Sequence, residues 1–213
     1  MRGLQGMTGG VQENGHIQGA LGPFYDIAFA DDMSGSGSMN GRALTTGRAT
    51  WASFSPDANP ITFTISSGIA GKTATASDNQ GVVYNMGWSN MDVRATIAGY
   101  PWQGGGTAGQ DSAAGLTFGY VDSTHYYKLI FFKGDWFLVL NNGGSETTLT
   151  QFAQVPVTGD VMRVTRNTAG QFTCYYNATN KATATDTTLA GSYCGLIDYG
   201  VSGRWSAFQS SIF

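Results

Sequence analysis

The chain alternates apolar and polar residues in short blocks. Ile61-Thr62-Phe63-Thr64-Ile65 puts its apolar side chains on one side of an extended backbone and its threonines on the other. Met91, Val93, Ala95 and Ile97 likewise share one face, with Asp92, Arg94 and Thr96 opposite. Comparable blocks lie at 27–30, 49–54, 82–84, 114–121, 126–132, 136–141, 161–165, 172–177, 193–198 and 205–208. Gly, Asn and Asp punctuate them. Asp122-Ser123-Thr124 and Lys133-Gly134-Asp135 have hairpin chemistry, because Asp caps a turn through its own side chain and Gly accepts positive φ. No window of helical length keeps a 3.6-residue period. About a dozen strands at ~8–15-residue spacing predict a sandwich or a barrel.

Composition narrows the function classes. The 213 residues suit one large β-sandwich. Charged residues make up only 12% of the chain, against 41% hydrophobic, and there are 31 glycines. Surface polarity must therefore come from Ser, Thr, Asn and Gln, which fits strands and turns better than helices. The net charge is −3 and no basic run exists, so the electrostatic footprint of a nucleic-acid binder is missing. No apolar stretch approaches the ~20 residues of a membrane-spanning helix. Met1 to Gly6 lack the apolar run of a signal peptide, so the expectation is a chain that acts where it is made, or leaves the cell by lysis or within an assembly. Residues 1–26, rich in Gly and Gln and ending near Gly22-Pro23, read as an extended docking arm. Residues 27–213 read as the sandwich.

The middle of the chain resembles a known pattern. Gly115-Leu116-Thr117-Phe118-Gly119-Tyr120-Val121-Asp122, then Tyr126-Tyr127-Lys128-Leu129 and Gly134-Asp135-Trp136-Phe137, are similar to the concanavalin A-like (laminin G-like) lectin and glucanase domains. Gly159-Asp160-Val161-Met162-Arg163-Val164, Phe172 to Asn177, Gly191 to Leu196 and Arg204 to Phe208 follow in that pattern's order, with Phe29-Ala30-Asp31-Asp32-Met33 and Trp51 upstream. The resemblance implies an all-β, two-sheet antiparallel jelly-roll sandwich. Met39-Asn40-Gly41-Arg42 also resembles a variant found in bacteriophage minor tail and fibre proteins. That likeness implies a virion protein on the tail or the capsid surface. It would contact other virion proteins through residues 1–26, form a homo-oligomer, and attach to host-surface glycan or decorate the particle. A cellular carbohydrate-binding module is the alternative, and a glycoside hydrolase a third reading.

Candidate chemistry is sparse. Glycosidases of this type carry paired acidic residues in a Glu-rich pattern on one strand, whereas this chain has only two glutamates, Glu13 and Glu146, far apart, and Asp31 and Asp32, being adjacent, point apart on a strand. No catalytic residue is assigned, and a non-enzyme is expected. Tyr100, Trp102 and Gln103 open a Gly-rich loop and are the candidate carbohydrate contacts. Asp31, Asp32 and Asp198 are candidate calcium ligands, on the premise that the first and late strands are neighbours. No other cofactor is expected. Cys174 and Cys194 have two readings, a disulfide across neighbouring strands or two small buried hydrophobes. Tyr126 and Tyr127 point to opposite faces, so at most one belongs to the core and the other to an outer face.

Overall fold

The computed structural model describes residues 29–47, 49–55, 63–72, 76–99, 113–200 and 203–213. The predicted arm, residues 1–26, and the loop residues Tyr100, Trp102 and Gln103 lie outside the described residues. Among the described residues every regular element is a strand: β1 (Phe29–Asp31), β2 (Gly37–Ser38), β3 (Ala52–Phe54), β4 (Phe63–Ser66), β5 (Ile69–Lys72), β6 (Ala76–Asn85), β7 (Met91–Gly99) and β8 (Ala113–Asp122). Then follow β9 (His125–Phe132), β10 (Asp135–Asn142), β11 (Ser145–Ala153), β12 (Val161–Arg166), β13 (Gln171–Tyr176), β14 (Thr179–Thr185), β15 (Tyr193–Gly200) and β16 (Arg204–Ser211). They form two antiparallel sheets. One runs β14-β13-β12-β7-β16-β5-β4-β2, with β1 also paired to β16, and the other runs β11-β10-β9-β8-β15-β6-β3. Of the sandwich and the barrel that the period-two blocks allow, the sandwich is present, as the resemblance implied.

Tight turns do what their residues predict. Asp122 Oδ1 accepts the Thr124 amide at 2.8 Å, closing the β8–β9 turn. Lys133 and Gly134, with φ of 50° and 99°, form the two-residue loop between β9 and β10. Gly143-Gly144 does the same between β10 and β11. Asn177 and Ala178 take the same left-handed geometry between β13 and β14. Both ends of the Asn177 amide are engaged there, the oxygen accepting from the Val161 N–H and the nitrogen donating to Asp160.

The space between the sheets is filled by large side chains. Trp51, Trp136, Trp205, Phe118, Phe172 and Phe208 are all fully buried. Trp51 meets Tyr84 and Phe208 edge-on at centroid distances of 5.0 and 5.2 Å, and its indole N–H is satisfied by Asp31 at 2.8 Å. Trp136 donates to the Gln154 carbonyl. Trp88 is the exception among the tryptophans described, half-exposed between β6 and β7.

Four strands escaped the periodicity reading, the short β2 and β5 and the longer β11 and β14. β11 and β14 are the outermost strands on one side of their sheets, and their residues are mostly exposed Ser, Thr, Asn and Lys. A polar edge strand has little apolar pattern to detect, although its threonines carry strand propensity. The cysteines need a correction. Cys174 lies on β13 and Cys194 on β15, in opposite sheets rather than on neighbouring strands. Both are free, buried thiols, each pushed up to about 12 by burial, so the disulfide reading is set aside.

Candidate binding cleft on the seven-stranded sheet

Alternation along β9 sends Tyr127, Leu129 and Phe131 into the core and Tyr126, Lys128, Ile130 and Phe132 to the outer face. Both tyrosines are nonetheless buried. Tyr127 packs between the sheets, donates its hydroxyl to Asp186 at 2.5 Å and accepts the Leu189 amide. Tyr126 is covered on the outer face by Phe54 and Tyr120, at centroid distances of 5.8 and 6.2 Å. Outer-face residues of this sheet thus form a second apolar cluster: Phe54, Val83, Ala113, Tyr126, Ile130 and Ile197, flanked by half-buried tyrosines and phenylalanines. Burial raises the phenols of this cluster, Tyr120 to about 12 with help from nearby Asp122.

Glycine clears the middle of the face. In register across β6, β15 and β8, Ile197 stands between Gly81 and Gly115. A Cβ on Gly115 would fall 1.9 Å from the Leu129 carbonyl oxygen, and one on Gly81 would fall 2.2 Å from that of Leu196. Only glycine fits where the strands approach so closely.

Beside these glycines, where the Phe54 ring packs over Gly81 and Ile197 is fully buried, lies a cleft of about 250 Å³, lined by Asn79, Ala113, Lys128, Ile130, Phe132, Glu146 and Tyr199. Its polar groups form a closed triangle. Lys128 Nζ donates to Glu146 Oε1 at 2.5 Å and to Asn79 Oδ1 at 3.1 Å, and Asn79 Nδ2 donates to the same Glu146 oxygen at 3.1 Å. Lys128 is almost wholly buried, whereas 42% of the Glu146 side chain is exposed. Burial lowers the Lys128 pKa and the Glu146 carboxylate opposes that shift. Within the triangle the two charges cancel. The arrangement offers fixed amide and carboxylate oxygens beside an apolar wall of Ile130, Phe132 and Tyr199, which suits a polar, uncharged ligand with apolar faces.

From the sequence, Glu146 stood out only as one of two glutamates, and neither Lys128 nor Asn79 was singled out as a contact. One signal was available: Lys128 is the only charge in the otherwise apolar run from Tyr126 to Phe132. The predicted contacts Tyr100, Trp102 and Gln103 lie outside the described residues.

The calcium trio is not assembled. β1 pairs with β16, not with β15, so Asp31 and Asp198 stand in different sheets. Asp31 is consumed by Trp51 Nε1, the Arg42 guanidinium and the Met33 amide. Asp32 caps Ser34 and accepts from Thr45. Asp198 is buried beside Lys72. Among the described residues no group of three His, Cys, Asp or Glu side chains is placed to hold a metal ion.

No protein-family model and no curated protein matches the chain. Solved structures do. The carbohydrate recognition domain of Emp47p aligns at a TM-score of 0.57 and 11% identity, over 91% of this chain and 99% of that one. LamAcat from Zobellia galactanivorans aligns at 0.54 and 9% identity, over 87% and 97%. The GH43 BlXynB protein from Bacillus licheniformis aligns at 0.56 and 13% identity, over 89% of this chain but only 40% of its own. At such identities the likeness is one of fold, and the chain is a two-sheet antiparallel jelly-roll sandwich whose structural neighbours are concanavalin A-like lectin, carbohydrate-binding and glycoside hydrolase domains.

Proposed function

We propose that this chain is a non-enzymatic, lectin-like module that binds a neutral saccharide in the cleft of the seven-stranded sheet. The observation that carries the reading is the neutralised Asn79–Lys128–Glu146 triangle set against an apolar wall on an outer sheet face. Sugars present hydroxyls to fixed acceptors and C–H faces to apolar side chains, and this cleft supplies both. Two structural neighbours are saccharide binders by description: a carbohydrate recognition domain, and a LamA variant in complex with laminaritriose and laminaritetraose. The non-enzymatic part rests on carboxylates. Hydrolysis of a glycosidic bond calls for two of them, and Glu146 is the single carboxylate among the described lining residues, already held by Lys128.

A bacteriophage particle is the proposed setting, with residues 1–26 docking the sandwich to other virion proteins and the module displayed as a homo-oligomer on the tail or the capsid. Its support is the Met39-Asn40-Gly41-Arg42 resemblance. A cellular carbohydrate-binding module is the second reading, favoured by the carbohydrate recognition domain that aligns over almost its whole length.

A glycan array tests the binding function, with Trp102→Ala and Glu146→Gln as comparison variants. Saturable binding of at least one neutral glycan, weakened in both variants, is expected. No saturable binding by the native chain sinks the lectin reading. Deleting residues 1–22 tests the setting. Normal incorporation of the truncated chain into particles overturns the docking role.

A further inference from the structure

The outer face of the nine-stranded sheet has the opposite chemistry. Register across β16, β7, β12 and β13 lines up Gln209, Arg94, Arg163 and Tyr175 in a single row. Strands lie about 4.8 Å apart, so this row spans roughly 14 Å. Arg94 and Arg163 are direct cross-strand partners, and directly opposed like charges repel. One carboxylate stands nearby, and Arg163 takes it. Its Nε and Nη2 engage the two oxygens of Asp92 at 2.8 and 2.7 Å while its guanidinium stacks on Tyr175 at 4.5 Å.

Arg94 is left over. It is partly buried, and it makes no hydrogen bond or ion pair among the described residues. Burial disfavours its charge, Asp92 opposes that effect, and Arg163 adds to it. On its other side stands Gln209, whose amide has no protein partner among the described residues. The row therefore holds two guanidiniums, with the single Asp92 carboxylate reaching it from the row beside it, in a chain whose net charge is −3. The adjacent row on one flank is Asp92, Thr165, Thr173 and Thr183, and on the other Ala207, Thr96 and Val161, so hydroxyls and a few small apolar side chains border the charge. A protein partner would want an apolar centre to bury. This face offers forked donors and hydroxyls.

We propose that this row is a second binding site, for an acidic saccharide, with a sugar carboxylate seated on the Arg94 guanidinium between Gln209 and Arg163. A planar carboxylate matches the guanidinium fork. It would also supply the negative charge that the Arg94–Arg163 pair lacks. The row and the cleft lie on opposite faces of the sandwich, so either site can fail without the other.

The test is calorimetric titration of the full chain with tetragalacturonate, with maltotetraose, sodium acetate and a chondroitin sulfate tetrasaccharide as comparisons. Saturable binding of the uronate oligomer is expected, weaker when salt rises to about 0.3 M. Arg94→Gln should lose affinity about tenfold or more, and Arg94→Lys less, because the charge stays and the fork goes. Gln209→Glu is the sharper variant. It installs a carboxylate directly across from Arg94, so it should abolish uronate binding while raising the thermal midpoint by roughly 1–3 °C. A merely structural role for Arg94 would not produce that opposite pair of effects. The proposal is overturned by absence of uronate binding at about 1 mM ligand, or by Arg94→Gln and Gln209→Glu binding like the native chain. Acetate or the sulfated oligomer binding as well as the uronate would overturn the assignment to a sugar carboxylate.

Discussion

Replacing Gly115 by alanine adds one methyl group to the outer face of β8, and the consequence can be worked out atom by atom. The new Cβ would sit 1.9 Å from the Leu129 carbonyl oxygen and 2.8 Å from the Ile130 Cα, both of them backbone atoms of β9. An ordinary contact needs more than about 3 Å, so β8 and β9 must separate by about 1 Å or more. Neither strand has slack, because Leu116 and Leu129 anchor them in the core with no exposed surface. Overpacking of this kind costs about 1–3 kcal/mol. One or two distorted ladder hydrogen bonds add about 1 kcal/mol each. A loss near 3 kcal/mol is expected, a large share of the ~5–15 kcal/mol that holds a typical domain together. Urea denaturation followed by tryptophan fluorescence reads it as a midpoint lowered by roughly 1–1.5 M at unchanged slope. Gly99→Ala is the control, since among the described residues its Cβ would meet only Arg204 Cβ at 3.5 Å and Cγ at 3.7 Å. That variant should stay within about 0.5 kcal/mol of the native protein, or gain slightly from a stiffer unfolded chain. A Gly115→Ala midpoint within about 0.3 M of native would refute the close-approach argument.

Three further outcomes are expected. Glu146→Gln strands the buried Lys128 ammonium and should cost about 1–3 kcal/mol, whereas the Lys128→Met/Glu146→Gln double variant should recover most of it; a double variant worse than the sum of the singles would contradict the triangle. Burial raises the Asp198 carboxyl to about 8 against the pull of Lys72, so the folded chain keeps a proton that the unfolded chain releases near pH 4. That contribution to stability is complete below pH 4 and is lost as pH rises through about 8, and the urea midpoint of Asp198→Asn should decline less over this window than that of the native chain. Cys174 and Cys194 should resist a thiol reagent in the folded protein and react as two thiols in guanidinium without reductant, whereas fewer than two would revive the disulfide.

The strands with one apolar face were legible from the start. β4, β7 and β9 are visible as alternating or apolar blocks because one or both of their faces are buried, and burial writes itself into the sequence. β11 and β14 were not, because an exposed edge strand needs no apolar stripe. The cleft was illegible for a different reason. Glu146 and Asn79 are 67 residues apart, and only the order of strands in the sheet brings both to Lys128. Strand order also undid the aspartate trio and the cysteine pair. Each rested on two strands being neighbours, and each pair of strands turned out to belong to different sheets. Tyr126 shows a third limit. That it and Tyr127 point to opposite faces followed from alternation, but its burial depended on Phe54, which reaches it from a much earlier strand of the chain.

The pairing of β1 with β16 has a mechanical consequence. Phe29 lies opposite Ser210, and the two strands run antiparallel, so the chain enters and leaves the sandwich at the same end of one ladder. Tension applied through the two ends would load those rungs one at a time, as a zipper, and not all together in shear. β1 would peel first, while Phe208 and Trp51 stayed packed behind it. The seam at Phe29–Asp31 is therefore the weak joint under load, and a force-extension trace should show a small early step there before the sandwich gives way.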